Sequence, residues 1–180
     1  MNFLKNFFKK EEDPFTKFEI VVESAHKINP SPRLITKSKH GDHDMDCIVT
    51  DLLGVFDSNP DGVKRQDIIL QCKERDQVLL FLNRGNAGTP HRVKVCRMNG
   101  EQIGLLSPGS LKAIQENSKL GYATHAYIIR VGPGSGNPDS LAVSLLIVFS
   151  EKGLEESVIH DYAESVMTEK QMEGLLDSIN

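Results

Sequence analysis

Cysteine is scarce in this chain of 180 residues, and Cys47, Cys72 and Cys96 stand far apart. An odd, widely spaced set without a C-x-x-C pair argues against a disulfide framework and for reduced thiols. Basic charge is also short: 21 Lys and Arg against 25 Asp and Glu leave a net charge of −4. A protein that works mainly by neutralising phosphates carries the opposite balance, so any nucleic-acid contact must come from a local patch. No apolar run approaches the roughly 18–20 residues that span a bilayer. The start, Met1 to Lys10, lacks the apolar core of a secretory signal, and the expected location is cytoplasmic. Catalytic signatures are missing too. No G-x-S-x-G elbow or equivalent context marks a nucleophile. Gly132-Pro133-Gly134-Ser135-Gly136 lacks the Gly-Lys-Ser/Thr ending of a phosphate loop and follows a strand without opening a helix. The expectation is a binding protein rather than an enzyme, with no cofactor.

What is present fits one domain of about 100–150 residues with appendages. Residues 1–46 read as an N-terminal segment, 47–150 as the main domain and 151–180 as a helical tail. Phe3, Leu4, Phe7 and Phe8 fall at helical spacing among Lys5, Lys9 and Lys10. Their apolar side needs a surface, either the protein itself or a second copy, or else an anionic membrane. Phe15 to Glu23 has the content of a strand, and His26 to Asp46 reads as a long polar loop or arm. Cys47 to Phe56 reads as a buried strand, Val63 to Cys72 as a short helix and Gln77 to Asn83 as a strand. His91 to Met98 alternates, with Val93 and Val95 on one face and Arg92 and Lys94 on the other. Asn99-Gly100 is a hairpin signal joining it to Glu101–Leu106. Ser107-Pro108 opens a helix. Tyr122–Val131 and Leu141–Ser150 form a final hairpin around a glycine-rich tip. Thr168 and Gln171 form a capping box over Met172, Leu175, Leu176 and Ile179. Strand, helix, three strands, helix and hairpin predict an α+β fold, a small β-barrel with two covering helices.

From Asp51 to Phe149 this order resembles the HIRAN domain. The likeness rests on Gly54-Val55 after the first strand, Asp76-Gln77-Val78-Leu79-Leu80, the loop with Arg84 and Asn86, and Val93-Lys94-Val95. It continues through Asn99-Gly100-Glu101-Gln102-Ile103-Gly104 before the helix at Pro108, and then Gly121-Tyr122. The resemblance implies an OB-like barrel that binds DNA, often the 3′ end of a single strand, attached to helicases or nucleases. Three segments depart from the family, and in one of them Leu105 and Leu106 follow Gly104 where relatives hold a polar contact. Phe56-Asp57-Ser58 stands where relatives carry a basic residue and aromatics, and Ala87-Gly88-Thr89-Pro90-His91-Arg92 replaces an N-P-Y-D-P-N-A loop.

The candidate nucleic-acid residues are Arg84, His91, Arg92 and Lys94, the one local basic concentration, with Tyr122 as a stacking face. Tyr127 has the opposite parity to Tyr122. The partner expected is single-stranded DNA, with a helicase or nuclease beside it. The competing reading is an adaptor holding a peptide in the barrel groove, kept near a membrane by Met1–Lys10. His40, Asp42, His43, Asp44 and Asp46 are a dense set of potential ligands, but without a second framework of histidines or cysteines they read as a solvated loop, not a metal site. The acidic tail with Glu155, Glu156, Asp161 and Glu164 either packs its apolar stripe on the barrel or shields the basic strand.

Overall fold

The computed structural model describes residues 33–40, 43–83, 92–134 and 137–168. Among these residues there are seven strands: β1 (Arg33–His40), β2 (His43–Asp51), β3 (Gln77–Asn83), β4 (Arg92–Arg97), β5 (Gln102–Leu105), β6 (Tyr122–Gly134) and β7 (Asn137–Glu151). Three helices accompany them: α1 (Arg65–Ile69), α2 (Pro108–Lys119) and α3 (Glu156–Thr168). The strands form one antiparallel sheet in the order β1-β2-β7-β6-β3-β4-β5.

That sheet curls into a barrel. Past β2 the chain runs on to Leu53, which exchanges both main-chain hydrogen bonds with Leu105 of β5, each 2.9 Å long. Strands β2, β7, β6, β3, β4 and β5 thereby make a ring, with β1 outside it at the edge. Closure needs close approach. A Cβ on Gly104 would lie 3.0 Å from Leu52 Cβ and 3.2 Å from the Leu53 oxygen, so glycine lets the seam close without strain.

Inward-facing residues build the main core: Ile48, Val78, Leu80, Val93, Val95, Ile103, Ala126, Ile128, Val143, Leu145, Ile147 and Phe149. Ile68 and Ile69 of α1 and Leu111 and Ile114 of α2 join this cluster and plug the barrel. Each such aliphatic side chain contributes roughly 1.5–3 kcal/mol when fully buried. Helix α2 starts as the sequence predicts: Ser107 Oγ accepts the Ser110 N–H at 3.1 Å, with Pro108 at the first helical position.

A second cluster lies on the outside of the ring. Met45, Cys47 and Val49 of β2, Leu146 and Val148 of β7, and Tyr127 and Ile129 of β6 are covered by Ile159, Tyr162 and Ala163 of α3. Helix α3 of the acidic tail therefore packs its apolar stripe on the β2–β7–β6 face.

Four expectations change. The polar run read as a loop up to Asp46 is strand over Arg33–His40 and again from His43. His43-Asp44-Met45-Asp46-Cys47 is a period-two pattern with Met45 and Cys47 buried. The boundary after Asp46 thus falls inside β2. The strand read as Cys47–Phe56 ends at Asp51, because Gly54 turns the chain at φ +64° and leaves Phe56 61% exposed. The final hairpin is longer than read, pairing as far as Gly134 with Asn137. Thr168 is the last residue of α3, its hydroxyl donating back to the Glu164 oxygen at 2.7 Å. Gln171, Met172 and the apolar residues after them, like Met1–Lys10 and Phe15–Glu23, lie outside the described residues.

Candidate nucleic-acid interface

The half of the ring that α3 leaves open is the outer face of β3, β4 and β5. Alternation along β4 sends Val93 and Val95 inward, both essentially inaccessible, while Arg92 is exposed and Lys94 half-buried on the outside. The strand register then aligns a row across the sheet. Phe81 of β3 lies opposite Lys94, Lys94 opposite Leu105 of β5, and Leu105 opposite Leu53. Directly opposed residues share a face and their side chains touch. Four neighbours at about 4.8 Å per strand span roughly 14 Å.

The row is partly apolar and open. Phe81 is 43% exposed, Leu53 is 41% exposed and Leu105 is half-buried. Among the described residues no carboxylate pairs with Arg92 or Lys94. Arg97 is different: its guanidinium reaches Glu101 at 2.8 Å and Gln71 at 3.1 Å, so its charge is already answered. Among the described residues the usable cations on this face are Arg92 and Lys94.

Of the residues singled out from sequence, Arg92 and Lys94 come together on one outer surface. Tyr122 does not join them; it packs half-buried against the inner core from the start of β6. Tyr127 is 2% exposed beneath α3. Arg84 and His91 lie outside the described residues. The aromatic beside the lysine is Phe81, which sequence reasoning passed over as one more apolar residue in Gln77–Asn83. The signal was its parity: with Val78 and Leu80 inward, Leu79 and Phe81 must point out. Among the former metal candidates, His43, Asp44 and Asp46 belong to the β2 strand, and no cluster of three ligating side chains occurs among the described residues.

The thiols are poor nucleophiles. All three cysteines are buried and none forms a disulfide. Burial pushes Cys96, behind the basic face, above its ordinary range, and pushes Cys47 up to about 11. No helix among the described residues is long and apolar enough to cross a membrane.

No family model matches the chain, and no curated protein matches it. Among solved structures the chain is similar to the HIRAN domain of human HLTF, at 23% identity over 59% of this chain and 77% of that one, with a TM-score of 0.39.

Proposed function

We propose that the chain is a non-catalytic module that binds single-stranded DNA across the outer face of β3, β4 and β5. The observation that carries this reading is Phe81, an aromatic left 43% exposed directly opposite Lys94. Lys94 and Arg92 supply charge for phosphates, and Phe81 supplies a π-face on which any base can stack. The acids of α3 lie on the β6–β7 side of the ring, so they do not cancel this local charge. Two cations give modest, salt-sensitive affinity. Selectivity for a free 3′ end is not expected: Asp57 is held by Arg65 at 3.3 Å, and Phe56-Asp57-Ser58 carries no cation for a terminus. Such a module works by delivering an attached helicase or nuclease to its strand.

The test is fluorescence anisotropy with a labelled oligothymidylate, its 3′ end free or phosphorylated. Both oligonucleotides should bind alike. Phe81→Ser should weaken binding roughly five- to a hundredfold, the loss of one stacked base at about 1–3 kcal/mol. Joint replacement of Arg92 and Lys94 by Glu should abolish it. Unchanged binding in the double variant would place the DNA elsewhere on the protein, and tenfold weaker binding to the phosphorylated end would show a terminus pocket.

A further inference from the structure

The row from Phe81 to Leu53 holds more than the proposed DNA contact uses. A base stacks on Phe81 and a phosphate meets Lys94, but Leu105 and Leu53 offer neither a ring nor a charge. Leu105 is half-buried and Leu53 is 41% exposed, and the two stand side by side where the ring closes. With Phe81 they make an apolar strip on a surface whose cations, Arg92 and Lys94, pair with no carboxylate among the described residues. Such a strip marks an interaction surface, and it fits an apolar stripe bordered by acids.

One segment of this chain has that pattern. Residues 169–180 carry Met172, Leu175, Leu176 and Ile179 at helical spacing, with Glu169, Glu173 and Asp177 against the single cation Lys170. They follow Thr168, the last residue of α3, whose Val166 and Met167 pack on the cluster that holds Val49 of β2. Leu53 is four residues beyond Val49, about 13 Å along the chain at the rise of a strand. Twelve residues span about 18 Å as helix and about 40 Å extended. The approach to the seam and the length of the row together fall within that range. The apolar residues of Met1–Lys10 do not match: Lys5, Lys9 and Lys10 stand among them, and Arg92 and Lys94 repel them.

We propose that residues 169–180 lie across the Leu53–Leu105–Phe81 strip and occlude the DNA site from within the chain. Their apolar stripe covers the two leucines and Phe81, and Glu173 and Asp177 answer Lys94 and Arg92. Strand and segment then compete for the same lysine, and the chain binds an oligonucleotide more weakly than its open site does, by the fraction of molecules left open. The competition rests on the function proposed above; the docking does not.

The experiment compares the full chain with two full-length variants, Leu175→Ser with Leu176→Ser, and Glu173→Gln with Asp177→Asn. In 1H–15N correlation spectra the amides of Leu53, Phe81, Lys94 and Leu105 should shift in both variants, while those of β7 stay in place. A synthetic peptide of residues 169–180, added to the leucine variant, should return these signals toward their original positions, and a scrambled peptide should not. Labelled oligothymidylate, followed by anisotropy, should bind both variants roughly fivefold or more tightly than the parent, and the peptide should remove that gain. Unmoved row signals, or equal action of the scrambled peptide, would overturn the docking whether or not DNA binds. Shifted row signals with equal oligothymidylate affinity in parent and variants would overturn the occlusion. Row signals of the parent that move on dilution would assign the strip to the tail of a second copy and overturn the intramolecular part. Shifted row signals with no oligothymidylate binding in any chain would bear out the docking and sink the DNA reading together with the occlusion.

Discussion

Arg65 donates from Nη1 to the main-chain oxygen of Gly54 at 2.6 Å, from a side chain only 8% exposed. Its Nε donates to Asn59 Oδ1 at 2.8 Å, and Asn59 Nδ2 donates in turn to the Gln102 oxygen at 2.9 Å. One guanidinium thus ties the turn after β2 to α1 and, through Asn59, to β5.

Replacing Arg65 by Met should cost about 1–3 kcal/mol, because it leaves Asn59 Oδ1 without its donor and the Gly54 oxygen with the Asp57 N–H at 3.2 Å alone. Replacing Asp57 by Asn should cost less than about 1 kcal/mol, since that carboxylate is 63% exposed and its ion pair is screened. Urea midpoints of the two variants check this. Equal losses would show that the ion pair, not the main-chain bond, matters.

Gly104→Ala should strain the seam. The new methyl would press on Leu52 at 3.0 Å and on the Leu53 oxygen at 3.2 Å, an overpacking cost of about 1–3 kcal/mol. The Leu53 and Leu105 amides should exchange hydrogen faster while those of β7 keep their protection; unchanged exchange at the seam would mean that the ring closes by other contacts.

Stability should fall as pH rises from about 9 to 11. Cys47, its thiol accepting a hydrogen bond from the Tyr162 hydroxyl at 3.6 Å, is pushed up from 9.0 to about 11 by burial. The folded chain then keeps a proton that the unfolded chain releases, so the contribution is complete below pH 9 and disappears as pH climbs through 11. Chemical denaturation across this range should show a shallower decline for Cys47→Ala, by up to about 1.4 kcal/mol per pH unit. Identical slopes would mean that the thiol ionises as easily folded as unfolded.

Ile159→Ala should cost about 2–5 kcal/mol, the usual penalty for an emptied site at a 2% exposed position. Leu120→Ala, at 75% exposure, should change stability by less than about 0.5 kcal/mol. Calorimetry of both variants measures whether α3 belongs to the cooperative unit; a small Ile159 effect would make it a loosely attached cover.

The inner half of the barrel was legible in the sequence because local chemistry and burial agree there. Gln77–Asn83 is strand at both ends as read, Gly100 takes φ +91° at the expected turn, and Ser107 caps α2. Legibility stops where a strand carries charges. The edge strand β1 and the acidic start of β2 look like loop by composition, and only the alternation of Met45 and Cys47 betrays pairing. The site was half legible for a related reason. Arg92 and Lys94 announce their face, but the apolar residue opposite Lys94 is identified only by register, which a single strand's sequence does not contain. Tyr122 was chosen for its ring and lost to the core.

The β3–β4–β5 meander is stitched to the rest of the backbone at two narrow places. Among the described residues β3 pairs with β6 at Gln77 with Tyr127 and Val78 with Ala126, continued by the Arg75 and Asp76 bonds to Ile128, and at the other side the meander has the two Leu53–Leu105 bonds. By contrast β6 and β7 pair from Tyr122 with Glu151 to Gly134 with Asn137. Partial opening therefore follows these two lines, and the three strands move as one local unfolding unit of lower stability than the β6–β7 hairpin. That unit carries Phe81, Lys94 and Leu105. Any ligand lying from Phe81 across to Leu53 bridges the second line and works against the opening, so its affinity and the meander's protection from exchange rise and fall together.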